Sequence, residues 1–234
     1  MLARILETEV MDSRAEAVDY DAMDHAAVNR AFVADLLAAA RDAACDLARS
    51  GATVLDLGAG TAQIPIELCR QAPGVQVVAL DAAAEMLAVA RRNVAQATLA
   101  DRIRLQQADA KRLPYADGQF AAVISNSIVH HLPEPAGALA EAYRVTAPGG
   151  LIFFRDLFRP DDEPTLRRLV ETYAAGANDH QRQMFADSLR AALTVAEVCA
   201  MVGSLPGRGK SVCPTSDRHW TWTMTKGEER PRDV

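Results

Sequence analysis

Residues Val54–Leu68 constrain the fold of this 234-residue chain more than any other segment. They read VLDLGAGTAQIPIEL, so an apolar strand pattern ends in Asp56 and two glycines immediately before a helical pattern begins. Gly58 and Gly60 permit a tight backbone turn that a Cβ would obstruct, and the first N–H groups of the following helix point towards that turn. This order predicts the nucleotide-cofactor turn of an α/β sheet. A turn that binds nothing is the alternative.

The spacing of the small residues separates two cofactor classes. A dinucleotide-binding turn reads Gly-x-Gly-x-x-Gly, and the position of its third glycine is Gln63 in this chain. The spacing therefore disfavours NAD. The pattern that remains, Asp56-x-Gly58-x-Gly60-x-Ala62, resembles the first motif of the class I S-adenosylmethionine (SAM) dependent methyltransferases, although Ala62 replaces the last glycine of that motif.

Two further acidic residues follow predicted strands. Asp81 ends the second strand, where a carboxylate can accept hydrogen bonds from a ribose diol, although Asp81 could instead cap the next helix. Asp109 follows the third strand, between Ala108 and Ala110. The resemblance implies that Asp109 accepts a hydrogen bond from the adenine amine and that a neighbouring backbone N–H donates to the ring.

The segment after the fourth predicted strand carries the most family-specific sequence after the glycine turn. It reads NSIVHHLPEP from Asn126 and is followed by RVTAPGG from Arg144. Both stretches resemble the type 11 branch of the class I methyltransferases, which includes small-molecule and ubiquinone or menaquinone methyltransferases, although Thr146 stands where leucine is usual. The resemblance covers residues 54–154 and implies SAM as the cofactor, with S-adenosylhomocysteine as the product.

The resemblance also implies a set of cofactor-binding residues. Nine of them belong to the predicted sheet and its turns: Asp56, Gly58, Ala59, Gly60, Asp81, Ala82, Asp109, Ala110 and Asn126. Tyr20 and Met23 come from the segment ahead of the sheet, and the resemblance suggests that this leader folds over the bound cofactor. A solvated linker to the first helix is the alternative for the leader.

The chemistry implied is nucleophilic displacement at the sulfonium methyl, for which neither a metal nor an enzyme nucleophile is needed. A base helps if the acceptor carries a proton, and His130 or His131 lies at the appropriate strand end, although both could merely brace the turn. Adjacent residues cannot both face one cleft. Arg155 and Asp156 follow the fifth predicted strand, so we expect both at the rim of the cleft. Arg155 would bind an acidic substrate there and Asp156 would polarise the acceptor. The alternative is an ordinary ion pair at the end of the strand. Arg218 is a second candidate for substrate binding, although turns are commonly polar.

Strand and helix patterns alternate along the chain, which predicts a parallel sheet with helices on both faces. We therefore expect a Rossmann-like three-layer α/β sandwich with a mostly parallel seven-stranded sheet and an antiparallel last strand. Residues 1–50 form a helical N-terminal leader over the cofactor site, residues 51–234 form the methyltransferase domain, and residues 160–193 form an inserted helical cap. The predicted strands are Thr53–Leu57, Val75–Leu80, Arg102–Gln106, Phe120–Ser125, Leu151–Phe154, Lys210–Cys213 and His219–Thr225.

Composition limits the partners. The chain has 25 Lys and Arg against 31 Asp and Glu, a net charge of −6, which disfavours a broad phosphate-binding surface and hence nucleic acid. Its four cysteines lack CxxC spacing, so we expect neither a zinc site nor disulfides. Free cysteines also favour a cytoplasmic location. No stretch approaches the roughly 20 apolar residues of a membrane span, and the N-terminus is too polar for a signal peptide. We expect a monomer or homodimer.

These observations favour an enzyme that transfers a methyl group to O, N or S of a small molecule. A methyltransferase acting on a macromolecule is disfavoured by the acidic charge and by Asn126-Ser127-Ile128-Val129, which differs from the Asn/Asp-Pro-Pro-Tyr of enzymes that methylate amino groups of adenine or glutamine. A non-catalytic SAM-binding or scaffold protein is the remaining alternative, because sequence alone does not distinguish binding from turnover.

Overall fold

The computed structural model describes residues 2–7, 12–47, 49 and 51–227. Its strands are β1 (Thr53–Leu57), β2 (Gln76–Asp81), β3 (Ile103–Gln107), β4 (Phe120–Asn126), β5 (Thr146–Leu157), β6 (Gly207–Pro214) and β7 (His219–Lys226). Its α-helices are α1 (Arg14–Asp21), α2 (Ala26–Asp42), α3 (Gln63–Gln71), α4 (Ala84–Gln96), α5 (Ala136–Val145), α6 (Glu163–Tyr173), α7 (Asp179–Ala191) and α8 (Val195–Val202). A 3-10 turn, Val129–His131, connects β4 to α5.

The strands form one sheet in the order β3-β2-β1-β4-β5-β7-β6. Strands β1 to β5 are parallel, β7 is antiparallel to β5, and β6 is antiparallel to β7, which makes β6 parallel to the first five. The predicted sheet is therefore confirmed, including the antiparallel last strand. The strand order reverses at β1 and β4, and the carboxyl ends of β1, β2 and β4 meet at one edge, where open α/β sheets bind their ligands.

Successive residues of the central strands face opposite sides, which accounts for two separate cores. Leu55 and Leu57 pack with α5, α8 and the two tryptophans of β7, whereas Val54 packs with α2, α3 and α4. Near-continuous apolar strands of this kind are expected where helices cover both faces of a parallel sheet. The three-layer sandwich predicted from the sequence is confirmed.

The leader and the cap are both helical. Helix α1 begins at a capping box in which Ser13 and Glu16 satisfy each other's backbone N–H, and Ala17 packs against Met86 of α4. Helices α6 and α7 form a small cluster over Leu157, and the backbone N–H of Ile5 donates to the Arg190 carbonyl of α7 (3.2 Å). Residues 8–11 of the leader and residues 228–234 lie outside the described residues. Within the described part of the chain, no helix is long and apolar enough to cross a membrane.

Strand β5 is longer than predicted. The sequence suggested an end at Phe154, but the strand continues to Leu157, and Arg155 and Asp156 pair with Thr221 and Trp220 of β7. The expectation that these two charged residues lie on a cleft rim was wrong, because each is buried within the strand by a partner from another part of the chain.

Candidate active site

A cavity of about 320 Å³ lies at the carboxyl ends of β1, β2 and β4. Eight of the predicted cofactor-binding residues line it: Tyr20, Gly58, Gly60, Asp81, Ala82, Asp109, Ala110 and Asn126. His131 and apolar side chains, including Met86, Ile128 and Leu132, complete the lining. The other three predicted cofactor-binding residues, Met23, Asp56 and Ala59, are not among the lining residues.

The glycine turn is held in a conformation that favours glycine. Gly58 and Gly60 have φ values of +71° and +53°, and the N–H groups of Gly58 and Ala59 both donate to the Leu80 carbonyl (2.8 and 2.9 Å). A Cβ on Gly58 would lie 2.8 Å from the Cβ of Ile128. Ala62 also lies in the left-handed region, at φ 63°, which explains why glycine is usual at this motif position. The turn therefore presents backbone, rather than side chains, to the cavity.

Asp81 connects the turn to α4. Its Oδ2 accepts from the N–H of Gly60 (2.8 Å), and its Oδ1 accepts from the N–H of Ala83, where α4 begins (2.9 Å). The alternative of Asp81 as the N-cap residue was wrong, because Ala83 is the N-cap of α4; the carboxylate of Asp81 instead contacts the Ala83 N–H and lines the cavity. Asp109 accepts from the N–H of Lys111 (2.8 Å) and borders the same cavity.

Asp56 is a buried acid beneath the turn. The residue is 2% exposed, and its Oδ2 has no hydrogen-bond partner among the described residues. Burial, followed by the nearby charge of Asp81, raises the pKa of Asp56 well above its ordinary value. Burial, together with Asp81 and Asp56, also raises the pKa of Tyr20 to about 12. A positively charged ligand next to these acids would lower their pKa values and stabilise their ionised forms.

The burial of Asp56 has a measurable consequence for stability. At pH values above the ordinary aspartate pKa the unfolded chain loses this proton while the folded chain keeps it, so folding becomes less favourable as the pH rises towards the folded pKa. We expect ligand-free Asp56→Asn to melt at a higher temperature than wild type at pH 8 and at a similar temperature near pH 4. Thermal unfolding across this pH range provides the measurement, with exposed Asp19→Asn as the control. A lower melting temperature for Asp56→Asn at pH 8 would contradict this account.

Only one of the two adjacent histidines faces the cavity. His131 lines it, whereas His130 is 4% exposed and its Nδ1 lies 2.5 Å from Oδ1 of Asp156. Asp156 also accepts from the N–H groups of Val129 (2.6 Å) and Leu157 (2.6 Å). Burial opposes charge on His130, but Asp156 and Glu7 outweigh it and raise the pKa of His130. The acceptor-polarising role expected of Asp156 lacks support, because Asp156 reaches the site only through His130.

Glu7 contacts both histidines, and sequence reasoning missed it. Its Oε1 lies 3.0 Å from Nδ1 of His131 and 3.4 Å from Nε2 of His130. Its Oε2 accepts a hydrogen bond from Oγ of Ser188 on α7 (3.2 Å). No local pattern points to a glutamate so far from the histidines in sequence, and only the docking of the N-terminal segment brings the three side chains together.

Neither arginine predicted to bind substrate is among the residues that line the cavity. Arg155 projects towards α2, where its Nη2 donates to Asp35 (2.7 Å) and its Nε donates to Thr221 (3.1 Å). Its guanidinium carbon lies 5.7 Å from the ring centroid of Phe32. Arg218 stacks on the ring of Tyr173, 3.4 Å from the centroid, and so connects the β6–β7 hairpin to α6. Both arginines have structural partners that sequence patterns did not reveal.

Comparison with known proteins identifies the family. A family model described as "Methyltransferase domain", of the type 11 class, matches residues 55–154. A demethylmenaquinone methyltransferase of Lactiplantibacillus plantarum is 38% identical over 126 residues, which cover 53% of this chain and 52% of the relative. An arsenite methyltransferase of Halobacterium salinarum is 37% identical over 163 residues, which cover 67% of this chain and 40% of the relative. The chain thus matches about half the length of these curated relatives or less.

A similar fold is found among solved structures. A SAM-dependent methyltransferase from Aquifex aeolicus superposes with a TM-score of 0.66 at 16% identity, covering 91% of this chain and 97% of that one. This likeness concerns the fold, whereas the family model and the relatives concern the sequence of the sheet and its turns. Residues 55–154 therefore belong to the type 11 branch of the class I SAM-dependent methyltransferases.

Proposed function

We propose that this chain binds SAM in the cavity at the ends of β1, β2 and β4 and transfers its methyl group to a small molecule. The observation that carries the proposal is the meeting of Gly58, Gly60, Asp81 and Asp109 in one cavity above the buried Asp56. A ligand with a sulfonium and an ammonium group would stabilise the ionised forms of Asp56 and Asp81, whose pKa values burial raises in the ligand-free protein. The glycine turn leaves room for such a ligand against the backbone.

Each lining residue has a role in this proposal. The turn from Asp56 to Ala62 would hold the amino-acid end of the cofactor, Asp81 would accept hydrogen bonds from the ribose, and Asp109 would accept from the adenine amine. Ala82, Ala110 and Asn126 would border these groups. Tyr20 would close the cavity from the leader, whereas Met23 does not line the cavity and has no such position.

The reaction follows from positioning. When bound, SAM supplies a methyl group on a sulfonium leaving group, so the protein has to align an acceptor and exclude water. Ile128 and Leu132 give this part of the cavity an apolar wall, and His131 is the predicted histidine that contacts it. A small acceptor suits a cavity of about 320 Å³, and the net charge of −6 supports a small molecule over nucleic acid. The cytoplasmic location and the monomeric or homodimeric state stay predictions.

The accepting atom is open to carbon as well as to O, N and S. The relatives include demethylmenaquinone methyltransferases and proteins described as ubiquinone/menaquinone biosynthesis C-methyltransferases, which extends the O, N or S range expected from the sequence. We therefore include reduced quinones that carry an unsubstituted ring position among the acceptors to be tested, beside small hydroxyl, amine and thiol compounds.

Two measurements test the proposal in sequence. SAM and S-adenosylhomocysteine should raise the melting temperature of the protein while NAD does not, because a ligand that binds only the native state stabilises it by mass action. Transfer of labelled methyl from SAM to the acceptor panel would then establish catalysis. Absence of any shift with SAM and its product would refute the cofactor assignment, and a shift without transfer would favour the non-catalytic alternative.

The Asp81→Asn variant examines the ribose assignment. The amide keeps the size of the side chain but removes its charge and one acceptor, so we expect the Kd for SAM to rise at least tenfold, equivalent to about 1.4 kcal/mol. Isothermal titration calorimetry gives the Kd, and circular dichroism checks that α4 still forms. Asp19→Asn on the exposed side of α1 is the matched control. Unchanged affinity would show that Asp81 only holds the start of the helix.

A further inference from the structure

Three side chains next to the cavity converge on one point. Oε1 of Glu7 lies 3.0 Å from Nδ1 of His131 and 3.4 Å from Nε2 of His130, and each of the three side chains has a ligand atom within 4.8 Å of one on the other two. Two imidazole nitrogens and one carboxylate oxygen are a ligand set suited to a divalent transition-metal ion. We propose that Glu7, His130 and His131 form a binding site for one such ion, of the zinc class.

The separations fit a shared ion. Zinc binds imidazole nitrogen at about 2.0–2.1 Å and carboxylate oxygen at about 2.0–2.2 Å, so two ligand atoms of one ion lie roughly 2.9–3.5 Å apart. The two measured distances from Glu7 fall in this interval. With three protein ligands, the ion keeps a coordination position for water.

Unsatisfied polar atoms point to the same place. Oε1 of Glu7 and Nδ1 of His131 are both buried, and neither has a hydrogen-bond partner among the described residues, although they lie only 3.0 Å apart. Buried polar atoms are nearly always satisfied, so this facing oxygen and nitrogen need either a shared proton or a cation between them. A cation between the oxygen and the nitrogen would satisfy both.

Asp156 orients His130 for this role. Its carboxylate lies 2.5 Å from Nδ1 of His130 and is itself fixed by the N–H groups of Val129 and Leu157. This contact places a proton on Nδ1 and directs Nε2 towards Glu7. A carboxylate on the far nitrogen is the usual support of a metal-binding histidine, because it fixes the tautomer and makes the ligating nitrogen more basic. Asp156 is therefore a positioning residue rather than a ligand.

The N-terminal segment is held firmly enough to supply a ligand. Arg4 donates through Nε to the Ala191 carbonyl (2.7 Å) and through Nη2 to the Leu132 carbonyl (2.8 Å). These contacts join the segment to α7 and to the turn that carries the histidines, and they place Glu7 above that turn. The ion would fasten the segment to the cavity wall. It would also give the two histidines a role other than the base expected from the sequence.

The test uses the full chain after chelation and removal of the chelator. All variants carry Cys199→Ser and Cys213→Ser as a common background, so that the two exposed thiols do not contribute to metal binding. Titration with Zn²⁺ should give one site per chain, Co²⁺ should give visible d–d bands without a thiolate charge-transfer band, and Mg²⁺ and Ca²⁺ should not compete. Glu7→Gln and His131→Gln should each weaken Zn²⁺ binding at least tenfold. Glu134→Gln and His180→Gln, both exposed, are the matched controls and should bind as the background does.

Two outcomes would overturn the site. One is the absence of stoichiometric Zn²⁺ binding together with a Co²⁺ spectrum like that of the free ion, because this measurement needs no substitution in the cluster. The other is unchanged binding in Glu7→Gln and His131→Gln while circular dichroism shows both variants folded. Hydrogen exchange adds a local readout: Zn²⁺ should slow exchange of the backbone N–H groups of residues 4–7 in the background protein but not in Glu7→Gln. None of these measurements depends on SAM or on methyl transfer.

Discussion

Replacing Gly58 by alanine should abolish most SAM binding and lower the stability of the ligand-free protein. Gly58 has φ +71°, where an L-residue is strained by about 1–2 kcal/mol. Its new Cβ would also lie 2.8 Å from the Cβ of Ile128, an atom fixed by the backbone rather than by a rotatable side chain. Relief requires movement of the turn or of the strand end, at a cost of about 1–3 kcal/mol. We expect at least a tenfold rise in the Kd for SAM, measured by calorimetry.

The chain offers controls that separate strain from collision. Gly149 has φ +74° with nothing within 4 Å of its ideal Cβ, so Gly149→Ala measures the backbone strain alone. The double variant Gly58→Ala/Ile128→Ala lacks the Ile128 side-chain atoms beyond Cβ that the new Cβ of residue 58 would meet. The two Cβ atoms still collide, so this variant should recover only part of the lost stability. Because Ile128 lines the cavity, Ile128→Ala alone completes the double-mutant cycle. Equal effects of Gly58→Ala and Gly149→Ala on melting would contradict the collision.

The sheet and the cofactor turn were predictable because local patterns determine them. The predicted Thr53–Leu57 is strand β1 with the same bounds, since an apolar run stopped by glycines leaves few alternatives. The reversal of strand order then brings the predicted strand ends together, so Asp81 and Asp109 could be assigned to one site. Helix α1 was also detectable in principle, because Ser13-x-x-Glu16 is the sequence signature of the capping box that starts it.

The remaining features depend on contacts between distant parts of the chain. Arg155 and Asp156 marked a strand end because charged residues are rarely buried, yet Asp35 and His130 neutralise them inside β5. Glu7 meets the histidines only because Arg4 docks the N-terminal segment on α7 and the 3-10 turn. Neither periodicity nor spacing contains these pairings, and the lining of the cavity near His131 therefore had to come from the structure.

Asp156→Ala should produce a large loss of stability. The aspartate is fully buried, and its removal leaves His130 with only the more distant Glu7 as counter-charge and takes away the acceptor of the Val129 and Leu157 N–H groups. Removing one partner of a buried ion pair typically costs about 3–5 kcal/mol. For a chain of this length each kcal/mol corresponds to about 2–4 °C, so the melting temperature should fall by roughly 6–20 °C. Differential scanning calorimetry of the ligand-free protein gives the measurement.

Comparison of variants identifies which contact of Asp156 stabilises the fold. Asp156→Asn keeps an oxygen for the Val129 N–H but removes the charge, so it should be less destabilising than Asp156→Ala. Equal losses of stability would indicate that Asp156 stabilises the fold mainly through its charge beside His130. Asp217→Ala, which removes an exposed carboxylate from Tyr173 and Arg218, should change stability by no more than about 1 kcal/mol. If Asp156→Ala melts within the range of Asp217→Ala, the imidazole–carboxylate pair does not hold the 3-10 turn against β5. The cavity wall that His131 forms would then depend on apolar packing of Val129 and Leu132 instead.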